Sequence, residues 1–458
     1  MIALATRNLW RNQRRSLTTL LAMILGTVAI LLFGGYCTTV FYGLETGFVG
    51  SSGHLQLQRR DFFRFGSGDI QNYSIKNYKQ IIDDIEADPA LQKLVSVTTP
   101  TLQLGGIAGN FDAGLSRLVM AQGVDVEGQN AMRQWNDYQQ EMQPELISIS
   151  TSKLNQVEIG VGIARGLQLC QPLQVSDCEQ KSIAPTSKGA SLPADIANLM
   201  PQTAPPDAGQ ARLELLVAGQ GGAPNVAGLH AVKAVSTGSR ELDDVFLVMH
   251  LQQAQQLVFG NDEPGVTAIQ IQLHHTADLS TAQARLNELI SSRWQQQPLE
   301  VLDFTEINPS FGQITGMFSA IFGFITILIC AIVLFTVSNT MSMAVMERTV
   351  EIGTLRTMGL RRSGIRWLFL TEGCLLGLLG AMLGTSLSLI VAALINAAGL
   401  SWLPPGSSEA VPLTIRLQSE YGLMLSISLI LLLVASCSAW WPARRAARLN
   451  IVEALRYV

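Results

Sequence analysis

Charge is scarce in this sequence. Of 458 residues, 14% are Asp, Glu, Lys or Arg and 48% are hydrophobic, and the mean hydropathy is positive. That balance excludes an ordinary soluble protein and sends the search first to membrane segments. Catalytic motifs are missing too. The chain has no His-Glu-x-x-His, no Gly-x-Ser-x-Gly and no Gly-Lys dipeptide, so it lacks the signatures of zinc proteases, serine hydrolases and Walker A nucleotide loops. His274 and His275 are adjacent, which is poor geometry for holding one metal. The Gly-rich GQGGAPNVAG (219–228) lacks dinucleotide-binding spacing and leads to Pro224, so it reads as a turn. No enzyme activity, metal site or nucleic-acid partner is expected.

Long apolar runs are what the chain does have. Roughly 20 apolar residues span a bilayer, and four stretches qualify, at about 17–44, 313–345, 367–400 and 421–441. Arg7, Arg11, Arg14 and Arg15 precede the first run. That run is too long for a signal peptide and no small-residue cleavage site closes it, so it reads as an uncleaved anchor. The segments 1–16, 346–366 and 442–458 carry four, five and four arginines and no lysine. The block 45–312 carries 17 Lys and Arg against 29 Asp and Glu. The positive-inside rule places both termini and the 346–366 bridge in the cytoplasm, and 45–312 and the 401–420 loop outside. The expected fold is a membrane α-helical protein with four transmembrane helices and a large α+β domain inserted between the first two.

Strand-like segments within the block fall at 54–58, 94–104, 116–124, 211–219, 230–238, 266–273 and 299–304, and helical ones at 161–169 and 279–294. Residues 245–259 pass from strand to helix. The closing β-α-β order predicts an α+β lobe with a β-rich insertion at about 125–245. Residues 182–210, rich in Pro, Ser and Ala, read as an irregular loop. Cys170 and Cys178 flank a Pro-containing loop in CQPLQVSDC. In an oxidising compartment they are expected to pair as a disulfide, since no His-Cys cluster supports the metal alternative.

The charge gathers in one place. MERTVEIGTLRTMGLRR (346–362) puts two acids and four arginines between two apolar runs. Glu347, Glu351 and Leu355 recur at helical spacing, Arg348 can pair with Glu351, and Gly359 reads as the helix stop. Arginines alone would fix topology. The acids, together with exposed Ile352, Leu355 and Met358, point to a docking surface for a cytoplasmic protein. In the third run, Gly373, Gly377, Gly380 and Gly384 fall near one helical face and admit a close helix neighbour. That neighbour is either within the chain or in a second copy. Glu372 is the one acid close to a span interior, and it either snorkels or pairs with an arginine such as Arg366.

These residues carry a resemblance. MERTVEIGTLRTMGLRRSGIRWLFLTEGCLLGLLGAMLG resembles the signature of the FtsX-like permease domain. WPARRAARLNIVEALRYV is similar to that family's ending, with Asn450 where proline is usual, and LATRNLWRNQRRSLTTLLAMILG is similar to its start. VEIGVGIARGLQL resembles part of the MacB-like periplasmic core domain, and DFTEINPSFGQI is close to the lipoprotein-releasing permeases LolC and LolE. The resemblance implies the permease subunit of a MacB/LolCDE-type ABC transporter in the bacterial inner membrane, with 45–312 in the periplasm. It implies a coupling helix that seats on a separate ABC ATPase dimer through Glu347, Arg348, Glu351, Ile352, Gly353, Leu355, Arg356 and Gly359. ATP and Mg would be bound by that partner, and no cofactor by this chain. A second permease copy, identical or LolC/LolE-like, and a periplasmic adaptor or chaperone are further implied partners. The implied mechanism is mechanotransmission to a periplasmic domain that handles lipoprotein, lipid or another cargo. The alternative is FtsX-like signalling to a partner such as a cell-wall hydrolase, without transport.

Overall fold

The computed structural model describes residues 6–7, 11, 13–66, 68–140, 144–176, 211–219, 224–404, 407 and 410–449. The loop 182–210, Cys178 and the ending from Asn450 onward lie outside the described residues. The chain divides into two compact units.

One unit comprises Met1–Gly43, Ser310–Trp402 and Val411–Val458. It is built from helices long and apolar enough to cross a membrane, four among the described residues. They run over Gln13–Ser52, Pro309–Glu347, Arg362–Ala397 and Tyr421–Ala447, hereafter the first to fourth spans. Each is longer than its apolar run. The first has 40 residues, about 60 Å of helix against a hydrocarbon core of about 30 Å. Hydropathy marks where a helix meets lipid. Its ends are set by backbone geometry, and here Gly53 stops the first helix at φ +77°. The buried centre of this unit gathers Met23 and Ile30 with Val337, Met341, Phe369, Leu431 and Ala435.

The glycine stripe of the third span packs inside this unit, and it serves two neighbours. A methyl at Gly373 would lie 2.6 Å from Ala439 Cβ, and one at Gly377 would lie 3.1 Å from Ala435 Cβ, both on the fourth span. At Gly380 it would lie 2.7 Å from Met23 Cβ, and at Gly384 2.5 Å from Thr27 Cβ, both on the first. Small residues let backbones approach where lipid supplies no hydrophobic driving force. Of the two neighbours the spacing allows, the structure shows the one within the chain.

The second unit comprises Leu44–Pro309 and Leu403–Ala410. Its strands are β1 Leu55–Arg59, β2 Val95–Asn110, β3 Leu115–Val124, β4 Gln156–Gly160, β5 Arg212–Ala218, β6 Pro224–Val235, β7 Phe246–His250, β8 Ala268–Leu273 and β9 Leu299–Asp303. They form one sheet ordered β3-β7-β4-β6-β5-β2-β8-β1-β9, and β3 also pairs with β2. That extra pairing closes six strands into a ring around Leu102, Val119, Ile159, Leu215, Leu229 and Leu247. The remaining β8-β1-β9 edge carries the helices Tyr78–Ala87 and Leu279–Ser292 on a separate core that includes Ile81, Ile85, Ile269, Ile271 and Leu286. The expected insertion at 125–245 is therefore corrected. The β-rich lobe also takes β3, the distal half of β2 and β7, because β2 is 16 residues long and serves both lobes. The turn expected at 219–228 is already strand from Pro224 onward, drawn in by pairing with β5.

Alternation in β1 (Leu-Gln-Leu-Gln) and β8 (Ile-Gln-Ile-Gln) implies one apolar and one solvated face. Both faces are buried. Gln56, Gln58, Gln270 and Gln272 are as inaccessible as their leucine and isoleucine neighbours. Three of their amides meet the last turn of the first helix, where carbonyls run short of backbone donors. Gln56 Nε2 donates to Ser52 O at 2.9 Å, Gln272 Nε2 to Val49 O at 3.3 Å and Gln270 Nε2 to Ser51 O at 3.4 Å, while Gln58 Nε2 donates to Gln56 Oε1 at 2.8 Å.

His54 follows that turn and is fully buried. Its Nδ1 accepts from the Leu273 N–H at 3.0 Å and its ring stands edge-on to Trp135. Nε2 therefore carries the proton and donates to Thr276 Oγ1 at 3.1 Å. Burial pushes the imidazole pKa down to about 4, against a partial opposing pull from Asp137. The unfolded chain binds this proton from about pH 6.5 downward. The stabilisation is thus complete above that pH and is lost as pH falls toward 4, for about 3 kcal/mol in all. Melting of the purified full chain is expected to fall between pH 7 and pH 4.5. In His54→Gln that fall should be shallower; an equal fall would remove His54 as its source.

Candidate functional site

The bridge folds as a helix over Thr349–Thr357, separated from the second span by one residue, Arg348. Arg348 has φ −102° and ψ 18°, outside the helical region, so the two helix axes break there. The stop at Gly359 is as expected. Gly359 takes φ +95°, its N–H donates to Arg356 O at 3.1 Å, and the Leu360 N–H donates to Leu355 O at 3.0 Å. Those two bonds form a Schellman cap, which needs the left-handed conformation glycine supplies.

Three arginine contacts lace the bridge into its unit. Arg348 Nη1 lies 3.1 Å from Glu372 Oε1 on the third span, and both side chains are buried. Arg356 Nη1 donates to the carbonyl of Leu449, just past the fourth span. Arg11, ahead of the first span, places Nη2 on both oxygens of Glu351, at 2.7 Å from Oε2. The expected partners change accordingly. Arg348 takes Glu372 rather than Glu351, and Glu372 takes Arg348 rather than Arg366.

The same lacing divides the proposed coupling residues. Ile352 is only 3% exposed and sits in the helical core, so its expected exposure is corrected. Arg348 and Gly353 are also buried, and Leu355 and Arg356 are half-buried. The open face presents Glu347, Val350, Glu351, Thr354, Met358 and Gly359, with Met358 at 71% exposure. Val350 lies off the row of Glu347, Glu351 and Leu355 that the helical spacing picks out. A valine standing beside Glu351 on a short charged helix was the available signal.

Elsewhere, Cys170 is buried and disulfide-bonded. Its expected partner, Cys178, lies outside the described residues. Cys37, Cys330, Cys374 and Cys437 are free. No group of three or more His, Cys, Asp or Glu side chains suited to a metal occurs among the described residues.

Comparison with known proteins gives one family match over this region and several matches to relatives. Residues 320–451 match the family model described as FtsX-like permease C-terminal. An ABC transporter permease of Methanocaldococcus jannaschii is 24% identical over 47% of this chain and 51% of its own length. The macrolide export ATP-binding/permease protein MacB of Chlorobium luteolum is 29% identical over 51% of this chain and 33% of its own. The lipoprotein-releasing system transmembrane protein LolC of Neisseria meningitidis serogroup B is 28% identical over 51% of this chain and 56% of its own. The matches thus cover about half the length, or less, of these curated relatives.

Proposed function

We propose a function from one premise: this chain belongs to the FtsX/MacB-type family of ABC transporter permeases. On that premise it is the permease subunit that couples hydrolysis by a separate ABC ATPase to rearrangement of the unit formed by Leu44–Pro309. The observation that carries this reading is the division of the bridge helix. One face is locked into the spans and the other offers two acids, Val350 and Met358 to the aqueous side. Such a face fits a groove of mixed apolar and basic character on a partner. The bridge takes the push, the spans carry it, and the sheet-built unit responds. ATP and Mg act in the partner. Two ATPase subunits present two grooves, so two permease copies assemble, alike or as a LolC/LolE-like pair.

The arginine-rich bridge and termini set the orientation, with the Leu44–Pro309 unit in the periplasm of a bacterial inner membrane. Cargo is then taken from the outer leaflet or the periplasm. Its class is lipoprotein, lipid or a comparable amphiphile, in keeping with what the names of LolC and MacB relatives say of those proteins. An adaptor or chaperone outside would receive it.

The test is copurification. Tagged protein in mild detergent should bring an ABC ATPase with it, and Glu351→Arg should cut the amount roughly tenfold or more, as loss of a central contact does. Arg11→Ala separates the roles of Glu351: it removes the internal partner and should leave the ATPase bound. A wild-type preparation that brings no ATPase in any nucleotide state would sink the reading.

A further inference from the structure

We infer that the Arg348–Glu372 ion pair is a positioning element that holds the bridge helix at a set angle to the third span, so that the two move as one body. This rests on the coupling reading above and adds to it the route by which a push leaves the bridge.

The break at Arg348 is the starting point. The backbone bonds continue on either side, from Arg348 N–H to Ala344 O at 3.2 Å and from Ile352 N–H to Arg348 O at 2.9 Å. A break one residue long leaves two helices joined but free to swing. The main chain alone would let the bridge tilt without moving a span. The Arg348 side chain crosses to Glu372, 24 residues away, and both side chains are almost inaccessible, at 9% and 3%.

The neighbouring residue shows what lies around the pair. A methyl at Gly373 would meet Ala439 Cβ at 2.6 Å and Met341 Cε at 3.9 Å. The second, third and fourth spans therefore converge one residue beyond Glu372. The other end of the bridge is tied by Arg356 to the carbonyl of Leu449. A push on the open face cannot rotate the bridge about one end without straining the other.

Stability does not account for a charged pair at this place. Glu372 is the only acid in the run 367–400, and apolar side chains of similar volume stabilise a buried site as well or better. What an apolar contact lacks is direction. It slides, whereas a guanidinium on a carboxylate fixes an angle. The pair therefore suits an element that must keep its orientation under load.

The test uses the full chain bound to its copurified ATPase, with the four free cysteines replaced by serine and spin labels at Thr357→Cys, exposed at the end of the bridge helix, and Ser386→Cys. Wild type should show one narrow label distance that ATP with vanadate leaves unchanged. R348M combined with E372L removes the pair without stranding a charge. It should keep the ATPase, because the open face is intact, yet its label distance should shift with ATP and vanadate. If that variant does not fold, R348K takes its place, keeping the charge but losing the guanidinium Nη1 that meets Glu372 Oε1, and the same shift is expected. The charge-swapped R348E/E372R should restore the narrow distance. A pairless variant whose distance stays narrow with ATPase bound overturns the inference, as does a wild-type distance that shifts. If wild type brings no ATPase, the coupling reading itself has failed.

Discussion

Leucine in place of Gly384 should cost about 3 kcal/mol of stability, at the upper end of what overpacking a close contact costs. Even the Cβ of alanine would stand 2.5 Å from Thr27 Cβ and 2.9 Å from Thr27 Oγ1. Thr27 cannot retreat easily. It is fully buried, and its Oγ1 is committed to Met23 O at 2.8 Å within its own helix. The third and first spans must therefore part. Met23, packed against Gly380 one turn away, parts with them. Gly316 and Gly323 on the second span provide the contrast, since a Cβ there meets nothing within 4 Å. Leucine at either should leave folding within this chain nearly unchanged. The measurement is the melting temperature of detergent-solubilised protein, followed by size exclusion. Equal losses at Gly384 and Gly323 would mean that the stripe is not an internal contact.

Removing one member of the Arg348–Glu372 pair should be the most damaging single change in the helical unit. Glu372→Ala leaves a guanidinium buried without its carboxylate, which typically costs about 3–5 kcal/mol. The double replacement R348M/E372L should return close to wild-type stability, because no charge is stranded. The exposed Arg11–Glu351 pair behaves differently. Both side chains are about half accessible, water screens them, and Arg11→Ala should shift melting little. Thermal melting of these variants, each as full chain, tests the ordering. A double variant as unstable as Glu372→Ala would place the cost in lost packing volume rather than in the stranded charge.

Much of the bridge was legible before any coordinates. Its helix, its stop at Gly359 and its acidic edge follow from local spacing and from the freedom of glycine to turn left-handed. Its buried face was not. Ile352 and Met358 look alike in the sequence, both apolar and both between charges. Ile352 lies in the core because it faces residues of other spans, while Met358 faces out. Glu372 shows the same limit. Several arginines lie within its reach along the chain, and packing selected Arg348.

The sheet-built unit divides in the same way. Alternating leucine or isoleucine with glutamine marks β1 and β8 as strands. It does not reveal that the glutamine face is covered by the end of the first helix. The ring of six strands depends on β3 pairing with both β2 and β7, and no run of residues announces a second partner.

The sequence by itself determined that this protein has four apolar runs long enough to span a membrane, arginine-rich segments beside them, a charged helix between the second and third runs, and a sheet-forming block between the first and second. These are properties of contiguous residues: hydropathy summed over a run, charge at its flanks, and glycine at a turn. Only the tertiary structure decided which face of the bridge is open, which arginine holds Glu372, and that one glycine stripe serves two different helices. Those are relations between segments up to hundreds of residues apart, and they are settled by shape and by the cost of leaving a buried charge or amide unmatched.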